Sequence, residues 1–325
     1  MTVRPRPVRR LAALLALAGA STTLAACGLG AGATPTDTRL TITQDFGTKV
    51  LDERDDPQSR GADTVMRLLQ RNAKVQTRYG GGFVQSIDGV AGGTRDGRPV
   101  DWFFYVNGVL SQEGATSYEV KEGDHVWWDH HDWGLTNDVP AVVGTYPEPF
   151  VHGVEGKRLP VRVECVELES TTCDAVRDRL VSLGIVVGKG GLQRSLAAET
   201  IRVIVGRYEQ IRADKTVRQL EQGPKVSGVY ARPAADGRSI AVLDPRGRTT
   251  RTLGPGAGLV AAVRVDDAPP VWVLTGTDDT GLRAATSALD PATLARKFAY
   301  ASGGGAPDGG LGLPEVPTTA APATP

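Results

Sequence analysis

The chain has 325 residues and equal numbers of basic and acidic side chains, 37 of each, so its formal charge is zero. No block of lysine and arginine gives it the electrostatic footprint of a nucleic-acid-binding protein. A chain of this length is long enough for two domains, each with its own hydrophobic core.

The N-terminal segment has the pattern of an export signal. Four arginines and no acid lie among the first ten residues, and an apolar stretch over residues 11–20 follows. That stretch is too short to span a bilayer as a stable helix. Leu24-Ala25-Ala26-Cys27 comes next and resembles the lipobox of bacterial lipoproteins, in which the cysteine becomes the acylated first residue. An ordinary secretory signal with an incidental Cys27 is the alternative.

This resemblance implies a signal peptide over residues 1–26 and a mature chain attached by lipid at Cys27 to the extracytoplasmic face of the cell membrane. Cleavage leaves 33 basic and 37 acidic side chains, a formal charge of −4. Residues 27–38 are small, polar and turn-rich, which predicts a flexible tether. No later apolar stretch reaches the ~20 residues that a membrane helix needs.

Residues 39–150 are predicted to form a first domain of one helix and several strands. Apolar alternation and turn dipeptides place strands at 40–42, 75–79, 83–87, 101–106 and 125–131, and a helix at 65–69. Asp63 or Thr64 can cap the helix, and Asn107-Gly108 is a strong tight-turn signal. One helix inserted in a mostly antiparallel sheet predicts a β-grasp-like layout.

Residues 157–301 are predicted to form a second, α/β sandwich domain, so the fold class is α+β. Strands are predicted at 161–168, 201–205, 228–232, 239–243 and 271–274, and helices at 174–183, 216–222, 280–289 and 291–298. Residues 302–325 are rich in glycine, proline, alanine and threonine, which predicts a disordered tail.

Cys165 and Cys173 are the only cysteines besides Cys27. Outside the membrane two such cysteines usually pair, and the short loop they close corresponds to about 2.5 kcal/mol in the chain-entropy model. A shared metal is the alternative, but no histidine lies near them in the sequence.

The most unusual segment is Trp127-Trp128-Asp129-His130-His131-Asp132-Trp133. In a strand, alternate residues face opposite sides, so His130 and His131 cannot both bind one zinc ion. His125 and His131 are six residues apart, roughly 20 Å by strand rise, and cannot share one either. No metal site is therefore predicted for a regular strand; a single-histidine role remains open, and a His/Asp zinc site would require the strand to break at Asp129.

The tryptophans of this segment have two interpretations. Indole rings can form a platform for flat or sugar-like ligands, or they can fill a core with histidines at its edge. Trp127 and Trp128 face opposite ways and cannot both enter a one-sided core, so one of them is expected at the surface or covered by a neighbour or ligand.

Several motifs together resemble the transcobalamin C-terminal-like domain over about residues 39–150. They are Thr64–Leu69, the run from Arg78 to Val84, the run from Asp101 through Val106 to Asn107-Gly108, and Gly123-Asp124-His125-Val126-Trp127-Trp128. The resemblance implies cobalamin or a related corrinoid as ligand, with His130 or His131 on cobalt and aromatic rings against the corrin. The candidate ligand-binding residues are Trp102, Tyr105, Asn107, Trp127, Trp128, His130, His131 and Trp133.

This chain departs from that family because it has no large all-helical domain to complete a corrinoid site. A separate helical partner protein and a membrane transporter are therefore implied partners of a ligand-binding lipoprotein in corrinoid uptake. The alternative is a surface interaction module that binds protein or cell-wall glycan through its tryptophans.

The remaining motifs do not point to an enzyme. No Ser-His-Asp spacing or Gly-x-Ser-x-Gly motif is present, and the acidic pairs lie in turn-like sequence. Gly276–Gly281 opens a helix, where Asp278 and Asp279 favour capping over anion binding. The run Gly254–Gly258 lacks the residues of a P-loop and predicts a flexible loop.

Overall fold

A computed structural model describes residues 1–2, 33–192 and 199–317. The predicted lipidation site Cys27 and almost all of the predicted signal peptide lie outside the described residues. Within the described part, no helix is long and apolar enough to cross a membrane. The structure has the predicted α+β class.

From residue 33 onward, the described part of the N-terminal half forms nine strands and one α-helix, with a short 3-10 turn at Tyr79–Gly81. The elements are β1 (Arg39–Gln44), β2 (Lys49–Asp55), α1 (Val65–Asn72), β3 (Val75–Arg78), β4 (Phe83–Ile87), β5 (Val90–Ala91), β6 (Gly93–Arg95), β7 (Arg98–Val106), β8 (Val109–Leu110) and β9 (His125–Asp132).

The main sheet of this half has the order β2-β1-β9-β7-β6, and β8 pairs with the end of β7. The first and last strands, β1 and β9, are parallel neighbours at its centre, while the other pairs are antiparallel. Helix α1 begins after Thr64, whose hydroxyl accepts a hydrogen bond from the Arg67 N–H. The buried face of α1, with Leu68 and Leu69, packs on one side of the sheet. This is the predicted β-grasp arrangement.

The described residues of the C-terminal half form ten strands and five α-helices, with a 3-10 helix at Val217–Gln222. The elements are β10 (Val161–Cys165), α2 (Thr171–Ser182), β11 (Val187–Gly191), β12 (Ile201–Arg207), α3 (Tyr208–Ile211), α4 (Pro224–Ser227), β13 (Ala231–Pro233), β14 (Ile240–Leu243), β15 (Thr249–Leu253), β16 (Gly258–Val263), β17 (Val271–Gly276), α5 (Asp279–Ser287), α6 (Pro291–Leu294), β18 (Ala299–Ser302) and β19 (Leu311–Leu313).

Seven of these strands form a mixed sheet in the order β11-β10-β12-β17-β16-β18-β19. The first four are parallel and the last three join antiparallel. Helices α2 and α5 cover one face through Val176, Leu180 and Ala285. Strands β12 and β17 are buried almost throughout, as expected for central strands of a sheet covered on both faces.

The second face of this sheet shares one hydrophobic core with the β-grasp half. Phe46, Tyr105 and Trp127 from the first half pack in the same cluster as Tyr230 and Phe298 from the second. The segment between the two predicted domains is also buried, since Tyr146 and Phe150 enter the core under α2 and α5. The two halves are therefore joined by apolar packing as well as by the chain.

Three predictions of flexibility are wrong for the described residues. In the predicted tether, the carbonyl oxygens of Thr36 and Thr38 accept backbone hydrogen bonds, and Thr38 is buried. In the predicted loop before β16, Ala257 is fully buried. In the predicted tail, β19 pairs with β18 and buries Leu313; residues 318–325 lie outside the described part.

The predicted helix at 291–298 is also shorter than expected. It ends at Leu294, and Phe298 instead enters the shared core immediately before β18. The predicted disulfide between Cys165 and Cys173 is present and joins the end of β10 to the first turn of α2.

Candidate functional site

Strand β9 carries the unusual Trp/His segment and lies at the centre of the β-grasp sheet, between β1 and β7. As predicted, Trp127 and Trp128 face opposite sides: Trp128 packs with the core under α1, and Trp127 packs with the core shared with the second half. Both are at most 2% exposed. One of the two tryptophans is predicted to lie at the surface or to be covered by a neighbour or ligand. Trp127 is covered by the C-terminal half of the same chain.

A fully buried carboxylate, Asp129, organises the side of β9 that faces the second half. It accepts hydrogen bonds from the backbone N–H groups of Phe46 (3.1 Å) and Gly47 (2.9 Å) and from the Thr43 hydroxyl. Its Oδ2 atom, which accepts from Phe46, also lies 2.8 Å from Nδ1 of His131. These bonds hold the β1–β2 turn against β9, which gives His131 a structural role.

The His131 ring is enclosed by aromatic side chains. It stacks between Phe46 and Phe103, with ring centroids 4.6 Å and 4.5 Å away, and Phe298 meets its edge at 5.4 Å. His131 is 2% exposed, so no face of the imidazole is open to a ligand in this structure.

On the other side of the sheet, His130 and Trp102 are tied to the β5 segment. The His130 Nε2 atom lies 3.1 Å from the Ala91 carbonyl oxygen, and the Trp102 indole N–H donates to the Val90 carbonyl oxygen at 3.0 Å. Burial lowers the pKa of His130, which favours its neutral form. Both side chains are part of a packed layer.

The remaining predicted ligand-binding residues are also mostly buried. Tyr105 is fully buried in the shared core. Asn107, at the turn after β7, donates to Asp124 (2.9 Å) and to the Gly153 carbonyl oxygen (3.1 Å). Only Trp133 is exposed, at 37%. The predicted residues are close together, but they form core rather than an open aromatic platform.

A cluster of titratable side chains that the sequence did not reveal lies beside Asn107. The His152 Nδ1 atom is 2.6 Å from Glu148 Oε1. Burial raises the pKa of Glu148 and raises that of Asp124 to about 6. The i, i+4 spacing of Glu148 and His152 was the available signal. In the described residues, no group of three histidine, cysteine or acidic side chains is placed to hold a metal ion.

A large cavity lies in the second half, at the amino ends of the parallel strands β10, β11 and β12, and has a volume of about 800 Å³. Its wall is mostly apolar and includes three arginines and one glutamate. The residues that define it are Phe150, Arg158, Leu159, Val161, Arg162, Glu164, Leu183, Ile185, Val186 and Arg202.

Charged groups line one part of this cavity. Arg202 donates to Glu164 at 2.6 Å and to Asp214 at 2.8 Å, and Arg162 lies 3.4 Å from Glu164. Arg158 is exposed. Arg162 and Arg202 are therefore engaged with acidic side chains, and Arg158 adds an exposed positive charge at the cavity. Sequence reasoning missed it because its residues come from a connecting segment and three separate strand ends.

The other prominent motif of the second half has a capping role. The Asp278 carboxylate accepts hydrogen bonds from the N–H groups of Gly281 (2.9 Å) and Gly256 (2.7 Å). These hydrogen bonds lower the pKa of Asp278, and its carboxylate occupies the N-terminus of α5 as the N-cap. The capping interpretation of this motif is confirmed.

Comparison with known proteins gives one family. Residues 62–132 match the family model described as a domain of unknown function, DUF4430. The match runs from just before α1 to the end of β9 and lies within the part of the chain that resembles the transcobalamin C-terminal-like domain. No curated protein matches the chain.

Proposed function

We propose that this protein is a lipid-anchored, extracytoplasmic ligand-binding protein, and that its ligand occupies the cavity at the amino ends of β10, β11 and β12. The anchor rests on the Leu24–Cys27 motif. The ligand-binding role rests on one observation: a pre-formed cavity of about 800 Å³ with a mostly apolar wall and an exposed arginine, Arg158. Small-molecule sites typically have volumes of ~300–1,000 Å³ with few polar groups.

The lining defines the class of ligand. Leu159, Leu183 and Ile185 offer apolar surface, whose burial contributes roughly 25 cal/mol per Å². Arg158, which is exposed at the cavity, supplies a guanidinium group, which pairs best with carboxylate or phosphate oxygens. The ligand is therefore an apolar molecule with one anionic group.

Two fluorescent probes that share one aromatic system test this proposal. Anilinonaphthalene sulfonate carries an anionic group, and N-phenylnaphthylamine is its neutral counterpart. The mature chain without acyl groups is expected to bind the anionic probe more tightly by a factor of at least ~10, because each tenfold corresponds to ~1.4 kcal/mol, a modest charge-assisted contribution.

Two exposed valines provide matched variants. Val186 lines the cavity and is 91% exposed, whereas Val226 is 45% exposed and lies elsewhere. Val186→Glu should weaken binding of the anionic probe, and Val226→Glu should not. Absence of binding by either probe, or equal effects of the two variants, would contradict the proposed site.

Corrinoid capture is a finer proposal that rests on the family resemblance. His130 and His131 are both 2% exposed, so axial ligation of cobalt would require the packing around β9 to open. Titration of aquocobalamin, followed by its visible spectrum, tests this directly. A spectral change that disappears in His131→Ala would support it, and an unchanged spectrum at excess protein would exclude ligation by either histidine.

The anchor has its own test. Cells that express the chain are labelled with an alkyne fatty acid, and the membrane fraction is compared for wild type and Cys27→Ala. Label and membrane retention should both be lost in the variant. Label that persists in Cys27→Ala would contradict the assigned lipidation site.

A further inference from the structure

The outer edge of β7 contains a gap between two short partner strands. β6 pairs with residues Arg98–Val100, and β8 pairs with Tyr105 and Val106. Residues 101–104 lie between these two pairings and have no strand partner on that side in the described part of the chain. At ~3.3 Å per residue the gap is about 13 Å long.

The register determines which backbone groups face this gap. The Asn107 N–H donates to the His125 carbonyl oxygen, and on the other side of β9 the Asp45 N–H, directly after β1, donates to the His130 carbonyl oxygen. The backbone N–H and C=O groups of odd-numbered β9 residues therefore point toward β7. Those of their odd-numbered partners in β7 point toward β9. Trp102 and Phe104 consequently direct their backbone N–H and C=O groups outward.

Two further observations agree with this assignment. The Trp102 N–H donates to the neighbouring Asp101 carboxylate at 3.0 Å instead of to β9. Ser111 follows β8 and would be the next partner of Phe104. Yet no backbone hydrogen bond joins Ser111 to Phe104 in the described structure. The backbone groups of Phe104 are thus available at the edge.

A groove of about 420 Å³ occupies this position. It is lined by Trp102, Phe103 and Phe104 on one side. Consecutive strand residues point to opposite faces, so a groove that touches all three lies in the plane of the sheet, where an added strand would lie. The opposite wall contains Leu110, Ser111, Gln112, Asn137 and Asp138.

The opposite edge of the same sheet is different. β2 carries Lys49, Asp52, Glu53, Arg54 and Asp55, which protect an edge strand against pairing with another chain. The stretch of β7 without a strand partner instead carries Trp102, which is buried, and the half-buried Phe103 and Phe104. Charged edges repel added strands, so β7 is the edge of this sheet that can accept one.

We propose that the open edge of β7 binds a short extended peptide by strand addition, with about three residues seated between β6 and β8. Backbone hydrogen bonds to Phe104 provide affinity, and the aromatic wall holds alternate side chains. Asp138 is the only charged residue in the lining, so the peptide carries a basic side chain at that end. This site is separate from the cavity proposed for the small ligand.

Selection from a display library of random eight-residue peptides, with the full mature chain as bait, tests the proposal. Selected peptides should contain lysine or arginine and should lose at least tenfold in affinity when one central backbone nitrogen is methylated. Asp138→Lys should weaken binding by a similar factor, whereas Asp308→Lys, at another exposed aspartate, should leave it unchanged.

Amide hydrogen exchange supplies a readout for the backbone. In the free protein the Phe104 N–H should exchange at least tenfold faster than the Phe103 N–H, which faces β9, and bound peptide should slow only the former. A slowly exchanging Phe104 N–H in the free protein would overturn the open edge. Selection of no peptides, or binding insensitive to methylation and to Asp138→Lys, would overturn peptide addition. Competition for the groove by chitotriose alone would assign it to a glycan instead.

Discussion

The Phe298 ring meets the Trp127 indole edge to face, with ring centroids 5.2 Å apart and planes at 78°. Trp127 belongs to the β-grasp sheet and Phe298 to the segment before β18, so this pair joins the two halves of the chain. Phe298 also contacts Tyr105 at 5.6 Å and Phe46 at 5.2 Å. It is the aromatic residue from the second half that fills the centre of the first half's inner face.

Replacement of Phe298 by alanine should destabilise the protein strongly. Loss of a buried phenylalanine typically costs ~3–5 kcal/mol through lost apolar burial and the cavity left behind. Phe298 is 3% exposed and contacts four aromatic rings, so the upper part of that range is expected. Urea unfolding followed by tryptophan fluorescence measures the change.

Phe83→Ala is the matched control, because Phe83 is 39% exposed and lies outside the shared core. It should change the unfolding free energy by less than about 1 kcal/mol. Equal losses in the two variants would show that Phe298 does not hold the halves together. Two separate unfolding transitions in Phe298→Ala would indicate that its packing makes them unfold as one unit.

Removal of the disulfide should produce a smaller loss. Cys165 and Cys173 are eight residues apart, and closure of so short a loop contributes about 2.5 kcal/mol in the chain-entropy model. The Cys165→Ala/Cys173→Ala variant is therefore expected to unfold at lower urea concentration. Dithiothreitol should shift the wild-type transition toward the variant's and leave the variant itself unchanged. A reductant effect of similar size in the variant would assign the loss to another cause.

His125 should make stability depend on pH in a defined direction. Its Nε2 lies 2.8 Å from the Thr41 hydroxyl, and burial, with Arg39 nearby, lowers its pKa from 6.5 to about 3. Between about pH 3 and pH 6.5, His125 therefore binds a proton in the unfolded chain but not in the folded chain. Stability contributed by the neutral imidazole is complete above about pH 6.5 and falls as the pH drops toward 3.

The comparison of wild type with His125→Gln at pH 7 and pH 4.5 isolates this effect. The wild type should lose about 2–3 kcal/mol more than the variant over that interval, since one pKa unit corresponds to ~1.4 kcal/mol. Asp124, whose pKa is raised to about 6 by burial, acts in the opposite direction and is present in both proteins. Parallel pH profiles for the two proteins would contradict the lowered pKa of His125.

Local sequence patterns predicted most of the β-grasp half, because each element carries its own signal. Leu40 and Ile42 alternate with threonines in β1, and Asn107-Gly108 forms the turn between β7 and β8. Opposite orientations of Trp127 and Trp128 follow from strand geometry alone. The covering of both faces could not be predicted, since it depends on Phe298, about 170 residues away in the chain.

The candidate sites were less accessible to sequence reasoning. Tryptophan and histidine are equally common in cores and in binding surfaces, so composition could not decide between them. The cavity near Arg158 and Arg162 is assembled from strand ends that are distant in sequence. The open edge of β7 depends on where β6 ends and β8 begins, which only the sheet register defines.

The segment after β18 was expected to be disordered because its glycines, prolines and alanines offer few apolar side chains. Leu313 is the exception: it is 1% exposed in the shared core, and β19 places it there by pairing with β18. Arg251 and Glu315 form an ion pair just beyond it. The buried Leu313, the partly buried Leu311 and Val316 and this ion pair thus hold a strand of low intrinsic propensity in the sheet.

Leu313→Ala should therefore lower the unfolding free energy by about 2–5 kcal/mol, the usual range for a leucine lost from a core. Leu168→Ala is the control, because Leu168 is 43% exposed, and a change below about 0.5 kcal/mol is expected there. Hydrogen exchange at Ala301, whose backbone faces β19 and pairs with Leu311, should accelerate in Leu313→Ala as β19 detaches. Unchanged stability and exchange in that variant would show that the segment is not held by its leucine.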